Sequence, residues 1–103
     1  MKAQVQKTDL NAIRNRLRQH LPDLARRYHV QSLGIFGSYV RREQRRGSDL
    51  DILVSFSEPP SLLAFVALEN ELTDRLGVKV DLVMKDALKP GIGEHILKEV
   101  MPV

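Results

Sequence analysis

The residues of this chain whose types and spacing can do chemistry are Gly37-Ser38, Asp49-Leu50-Asp51 after a ten-residue gap, and Asp81 within a later apolar run. A glycine-serine turn can present backbone N–H groups to a phosphate, and carboxylates on neighbouring strands can hold divalent cations beside it. Asp49 and Asp51 are separated by roughly 6.6 Å along an extended chain, which suits side chains converging on metal ions about 3.5–4 Å apart. Magnesium favours carboxylate, water and phosphate oxygens, so three acids plus a triphosphate satisfy its octahedral geometry. The combination points to metal-assisted transfer from a nucleoside triphosphate.

Each piece alone also has a plainer reading. Asp-x-Asp suits a solvated strand entrance, and Gly-Ser suits an ordinary turn with a serine helix cap. Arg41, Arg42, Arg45 and Arg46 can neutralise phosphates or form a solvated face. Asp81 weighs against the plain reading of the acids, because a carboxylate inside Val78-Lys79-Val80-Asp81-Leu82-Val83 is poorly placed in a half-buried strand without a partner. His20, His29 and His95 lie in unrelated segments without metal-ligand spacing and read as surface or packing residues.

The elements that must position these residues follow from periodicity. Thr8 can cap a helix whose apolar positions Leu10, Ile13, Leu17, Leu21, Leu24 and Tyr28 recur at steps of three and four, and Pro22 is expected to split it. Ser32 to Phe36 reads as a short strand ending at Gly37, and Ser38 to Glu43 as one or two helical turns. Arg45 to Ser48 reads as a loop. Leu50 to Phe56 is a strand with Leu50, Ile52, Val54 and Phe56 on one face and Asp49, Asp51, Leu53 and Ser55 on the other. Ser61 caps a helix reaching about Leu76, and Gly77 ends it. In the strand from Val78 to Met84, Val80, Leu82 and Met84 face one way while Asp81 faces the other. Pro90 and Gly91 precede a last helix from about Gly93 to Val100. The expected fold is α/β (α+β), in the order αβαβαβα, forming one domain over residues 1–103.

At 103 residues there is enough apolar content for one core and no room for a separate substrate-binding domain. Lys+Arg of 16 against Asp+Glu of 13 gives +3, which attracts polyanions without identifying one. The five aromatic residues fall mostly in core stripes, so no stacking platform for stable nucleic-acid binding is expected. The absence of cysteine excludes disulfides, thiolate catalysis and cysteine-ligated zinc. MKAQVQKTDL lacks the apolar stretch of a signal peptide, and the longest apolar run is too short to span a bilayer, so a soluble cytoplasmic protein without membrane contact is expected.

Gly37-Ser38-Tyr39-Val40-Arg41-Arg42-Glu43, Ser48-Asp49-Leu50-Asp51 and Val80-Asp81-Leu82-Val83 together resemble the polymerase β-like nucleotidyltransferase superfamily. The match is nearest to the minimal nucleotidyltransferases, the MNT antitoxins paired with HEPN toxins, and it covers nearly the whole chain. The resemblance implies a small mixed sheet flanked by helices and transfer of AMP from ATP to a hydroxyl with release of pyrophosphate. It implies that Asp49, Asp51 and Asp81 bind the metals, two Mg2+, and that Asp81 helps activate the acceptor hydroxyl. Gly37, Ser38, Arg41 and Ser48 would contact the nucleotide. The acceptor would be a tyrosine of a HEPN-family toxin, which makes a hetero-oligomer the expected assembly. The alternative is a binding-only antitoxin whose catalytic residues are vestigial. Arg42 departs from the family pattern, standing where glycine is frequent, and Gly91 stands where a basic residue is common.

Overall fold

A computed structural model of the chain describes residues 9–103. The first helix, α1 (Leu10–Tyr28), is capped by Asp9, whose carboxylate accepts from the Ala12 N–H at 3.0 Å; the expected cap, Thr8, lies outside the described residues. The helix runs unbroken through Pro22, against the expected split. Leu17 and Leu24, buried on either side of the proline, hold both halves against the same core, and that packing outweighs one missing N–H donor.

The remaining elements are β1 (Val30–Phe36), α2 (Ser38–Arg41), β2 (Leu50–Phe56), α3 (Leu62–Leu76), β3 (Val80–Met84), a 3-10 turn over Lys85–Ala87, α4 (Ile92–Glu99) and β4 (Met101–Pro102). The short closing strand was not expected from the sequence. It pairs antiparallel with β1 at Met101↔Ile35 and Pro102↔Gly34, giving a four-stranded sheet in the order β3-β2-β1-β4. β1 and β2 are antiparallel, whereas β2 and β3 are parallel and joined through α3.

The alternation read from the sequence holds. Leu33, Ile35, Leu50, Ile52, Val54, Val80 and Leu82 form one sheet face and are buried against Ile13, Leu17, Leu24, Leu68, Leu72 and Leu76 of α1 and α3. β3 is an edge strand, but α3 covers its donors: Thr73 Oγ1 accepts from the Val80 N–H and Glu69 Oε2 from the Leu82 N–H. The opposite face carries Phe36, Asp51 and Asp81 in one cross-strand row. The helices thus take the apolar face and leave the acids on the other. No helix among the described residues is long and apolar enough to cross a membrane.

Candidate active site

The tight pairing of three strands brings the site together. Phe36, the last residue of β1, pairs with Asp51, and Asp51 pairs with Asp81 of the parallel strand β3. Gly37 follows Phe36 with φ +83, a conformation open to glycine and strained for other residues. A Cβ built there would overlap Oδ2 of Asp51 and lie 3.0 Å from its Cγ. Glycine is therefore required twice over at this position, by its backbone angle and by the carboxylate lying against it. α2 begins at Ser38, so the first-turn N–H groups of Ser38 and Tyr39 have no partner within the helix.

The acids differ in setting. Asp51 is partly buried and Asp81 is exposed. Burial first, then the negative charges of Asp81 and Asp49 and a contact in which protonated Asp51 donates to Asp81, push the Asp51 carboxyl up to about 6. The cost anticipated for Asp81 therefore falls on Asp51, because β3 lies at the sheet edge and leaves Asp81 open to water. Asp49 borders a cavity of ≈ 520 Å³ also lined by Tyr39, Arg45, Arg46, Ser48 and Lys79. Burial and then the charge of Asp49 push the Tyr39 hydroxyl up.

An all-oxygen donor set carrying a destabilised negative charge fits a hard divalent cation, and Asp51 with Asp81 are the pair positioned to begin its coordination. Asp49, two residues before Asp51 at the entrance of β2, would complete the set; among the described residues no three acidic or histidine side chains stand together in ligand geometry.

The expected nucleotide contacts are placed unequally. The Ser48 hydroxyl accepts from the Arg45 N–H at 2.8 Å and staples the loop that leads into Asp49. The Arg41 guanidinium is paired with Glu43 at 2.9 Å and Glu99 at 2.8 Å. The Gly37 N–H donates to Oε2 of Glu99 at 2.7 Å, so in this structure it is not free for a phosphate. Sequence reasoning missed Glu99, and no local motif marks it. Arg42 caps α2 in the left-handed conformation, φ 59 and ψ 37. The loop thus follows a path suited to glycine, with arginine bearing the strain. Arg42→Gly is expected to raise stability by about 1 kcal/mol, measured as an upward shift in the urea midpoint without a change in slope.

Comparison with known proteins gives a consistent picture. The family model for the nucleotidyltransferase domain matches residues 17–101. The protein adenylyltransferase MntA of Thermococcus cleftensis is 50% identical over 94 residues, covering 91% of this chain and 95% of that protein. A Methanocaldococcus jannaschii protein provisionally named a protein adenylyltransferase is 47% identical over 95 residues, covering 91% of this chain and 97% of its own. Among solved structures, one provisionally assigned as a minimal nucleotidyltransferase superposes with a TM-score of 0.77 at 37% identity, covering 96% of this chain and 100% of that one. A toxin-antitoxin structure with AMP-PNP matches with a TM-score of 0.72 at 26% identity, covering 86% of this chain and 70% of that one.

Proposed function

The chain belongs to the nucleotidyltransferase domain family, and from that premise we propose that it is a protein adenylyltransferase that moves AMP from ATP to a tyrosine hydroxyl of a HEPN-family toxin and so acts as its antitoxin. The observation that carries this reading is the cross-strand row of Phe36, Asp51 and Asp81, with Gly37 packed on Asp51 and Asp49 two residues away. The 50% identity to a protein adenylyltransferase and the toxin-antitoxin neighbour with AMP-PNP support the choice of substrate and partner.

In the proposed reaction the acceptor oxygen attacks the α-phosphorus in line. The new O–P bond forms as the bond to pyrophosphate breaks, and the hydroxyl proton leaves. Asp49, Asp51 and Asp81 would hold divalent magnesium, which supplies neutralisation of the phosphates and of the leaving oxygen. Ser38 at the start of α2 offers its N–H and hydroxyl to the triphosphate. Asp81, exposed at the sheet edge, is the acid an incoming protein can reach, and it would accept the hydroxyl proton. Asp51, beneath Gly37, positions the nucleotide end of the site.

If the toxin cleaves RNA, as the resemblance to MNT–HEPN pairs implies, adding AMP would put negative charge and bulk beside that site and block it electrostatically. The test is incubation of the chain with labelled ATP, magnesium and a HEPN-family toxin. Label on the toxin, located at tyrosine by mass spectrometry, is the expected result. A toxin that is bound and silenced without gaining AMP would instead establish the binding-only reading.

A further inference from the structure

We infer that Glu99 is a positioning residue of the transfer site, tying the C-terminal α4–β4 segment to the Gly37 turn and thereby holding both that turn and Arg41 in register with Asp51. The inference rests on the transfer reading above for what the site does, but the tether itself rests on geometry. One oxygen of the Glu99 carboxylate accepts from the Gly37 N–H at 2.7 Å and the other from Arg41 Nη1 at 2.8 Å. A single side chain therefore spans both ends of α2. It does so across a sequence separation of 62 residues to Gly37, which no local folding preference accounts for.

The position is otherwise unfavourable for an acid. Glu99 is the last residue of α4, where the helix dipole favours cations, and its side chain is only 12% exposed. Burial alone would push its carboxyl up, yet the Arg41 bond and the Gly37 N–H together hold it below the ordinary glutamate value. It is thus an ionised carboxylate kept in a sheltered place by two specific partners. The chain around it is built to deliver it there. Met101 pairs with Ile35, the Val103 N–H donates to the Leu33 carbonyl, and Gly34 leaves room for Val100, whose Cγ2 would lie 2.6 Å from a Cβ at that position.

The consequence for the site follows from packing. Gly37 lies so close to Asp51 that no Cβ fits between them, so a displaced turn moves the carboxylate with it. The Arg41 guanidinium, at the other end of α2, is aimed by Glu99 and Glu43. Because Glu99 takes the Gly37 N–H, the backbone N–H groups left for a phosphate begin at Ser38.

Amide exchange of the isotopically labelled chain and calorimetric titration with magnesium-ATP test this together. Gly37 exchange in the wild type should be slow. Glu99→Ala should speed it at least about tenfold and weaken magnesium-ATP binding about tenfold, whereas Glu99→Gln keeps an acceptor for the Gly37 N–H and should restore most of both. Adding Arg41→Ala to Glu99→Ala should cost little more, because the two act as one unit. A Gly37 N–H that exchanges equally slowly in the wild type, Glu99→Ala and Glu99→Gln would overturn the tether. Faster exchange with unchanged magnesium-ATP affinity would overturn its coupling to the site. If the wild type itself binds no magnesium-ATP, the transfer reading fails separately, and Gly37 exchange still decides the tether.

Discussion

Asp51→Asn and Asp49→Asn are each expected to lower AMP transfer more than about 100-fold while leaving association with the toxin nearly intact. Changing groups that merely support a metal ligand commonly costs 10–100-fold, so converting a ligand itself to a weaker neutral donor should exceed that. The two positions do not contribute identically. Asp51 stands between Phe36 and Asp81 in the sheet and is wedged against Gly37, so its carboxylate cannot be replaced from a neighbouring position. Asp49 borders the cavity beside Arg45, Arg46 and Lys79, where a longer acid has room and should retain part of its function. Asp49→Glu should therefore keep more activity than Asp51→Glu, whose added methylene would displace a carboxylate that lies against Gly37. Single-turnover transfer to the toxin, followed by intact mass, ranks the four variants; wild-type rates in Asp51→Asn would end the metal assignment.

Much of this arrangement is legible in the sequence, because side chains alternate strictly along a strand. Once Leu50, Ile52 and Val54 are assigned to the core, Asp49 and Asp51 must share the other face, and the same reasoning places Asp81. The Gly37-Ser38 turn is equally local. What the sequence conceals is tertiary. Pro22 carries a local signal for a break, and the burial of Leu17 and Leu24 on both sides of it overrides that signal. β4 is two residues long and contains a proline, too little for any pattern to register. Glu99 looks like one more surface acid at a helix end until the pairing of β4 with β1 swings it onto Gly37. Arg42 is the instructive intermediate. The resemblance leads one to expect glycine there, but only the left-handed backbone reveals that this loop holds a conformation suited to glycine with arginine in place.

The remaining strong expectation concerns stability in the absence of metal. Asp51 has its carboxyl raised from 3.8 to about 6 by burial and by Asp81 and Asp49. A raised acid favours the folded state while protonated, and that contribution is lost as pH climbs from about 4 through 6. At pH 7 the charged carboxylate therefore weakens the metal-free fold. The full rise would correspond to about 3 kcal/mol at 1.36 kcal/mol per pH unit, and water reaching this half-open site screens it to about 1–2 kcal/mol. Asp51→Asn removes the charge in a side chain of nearly the same shape. It should melt roughly 4–8 °C above the wild type at pH 7 without magnesium, and the gap should close as pH falls toward 4. Magnesium-ATP reverses the order, because a ligand stabilises only the state that binds it, and the asparagine variant has lost a ligand for the cation. Thermal melts from pH 4 to 8, each with and without magnesium-ATP, separate this from three unrelated surface aspartates. A pH-independent gap, or an equal rise in both proteins on adding magnesium-ATP, would show that Asp51 carries neither the strain nor the metal.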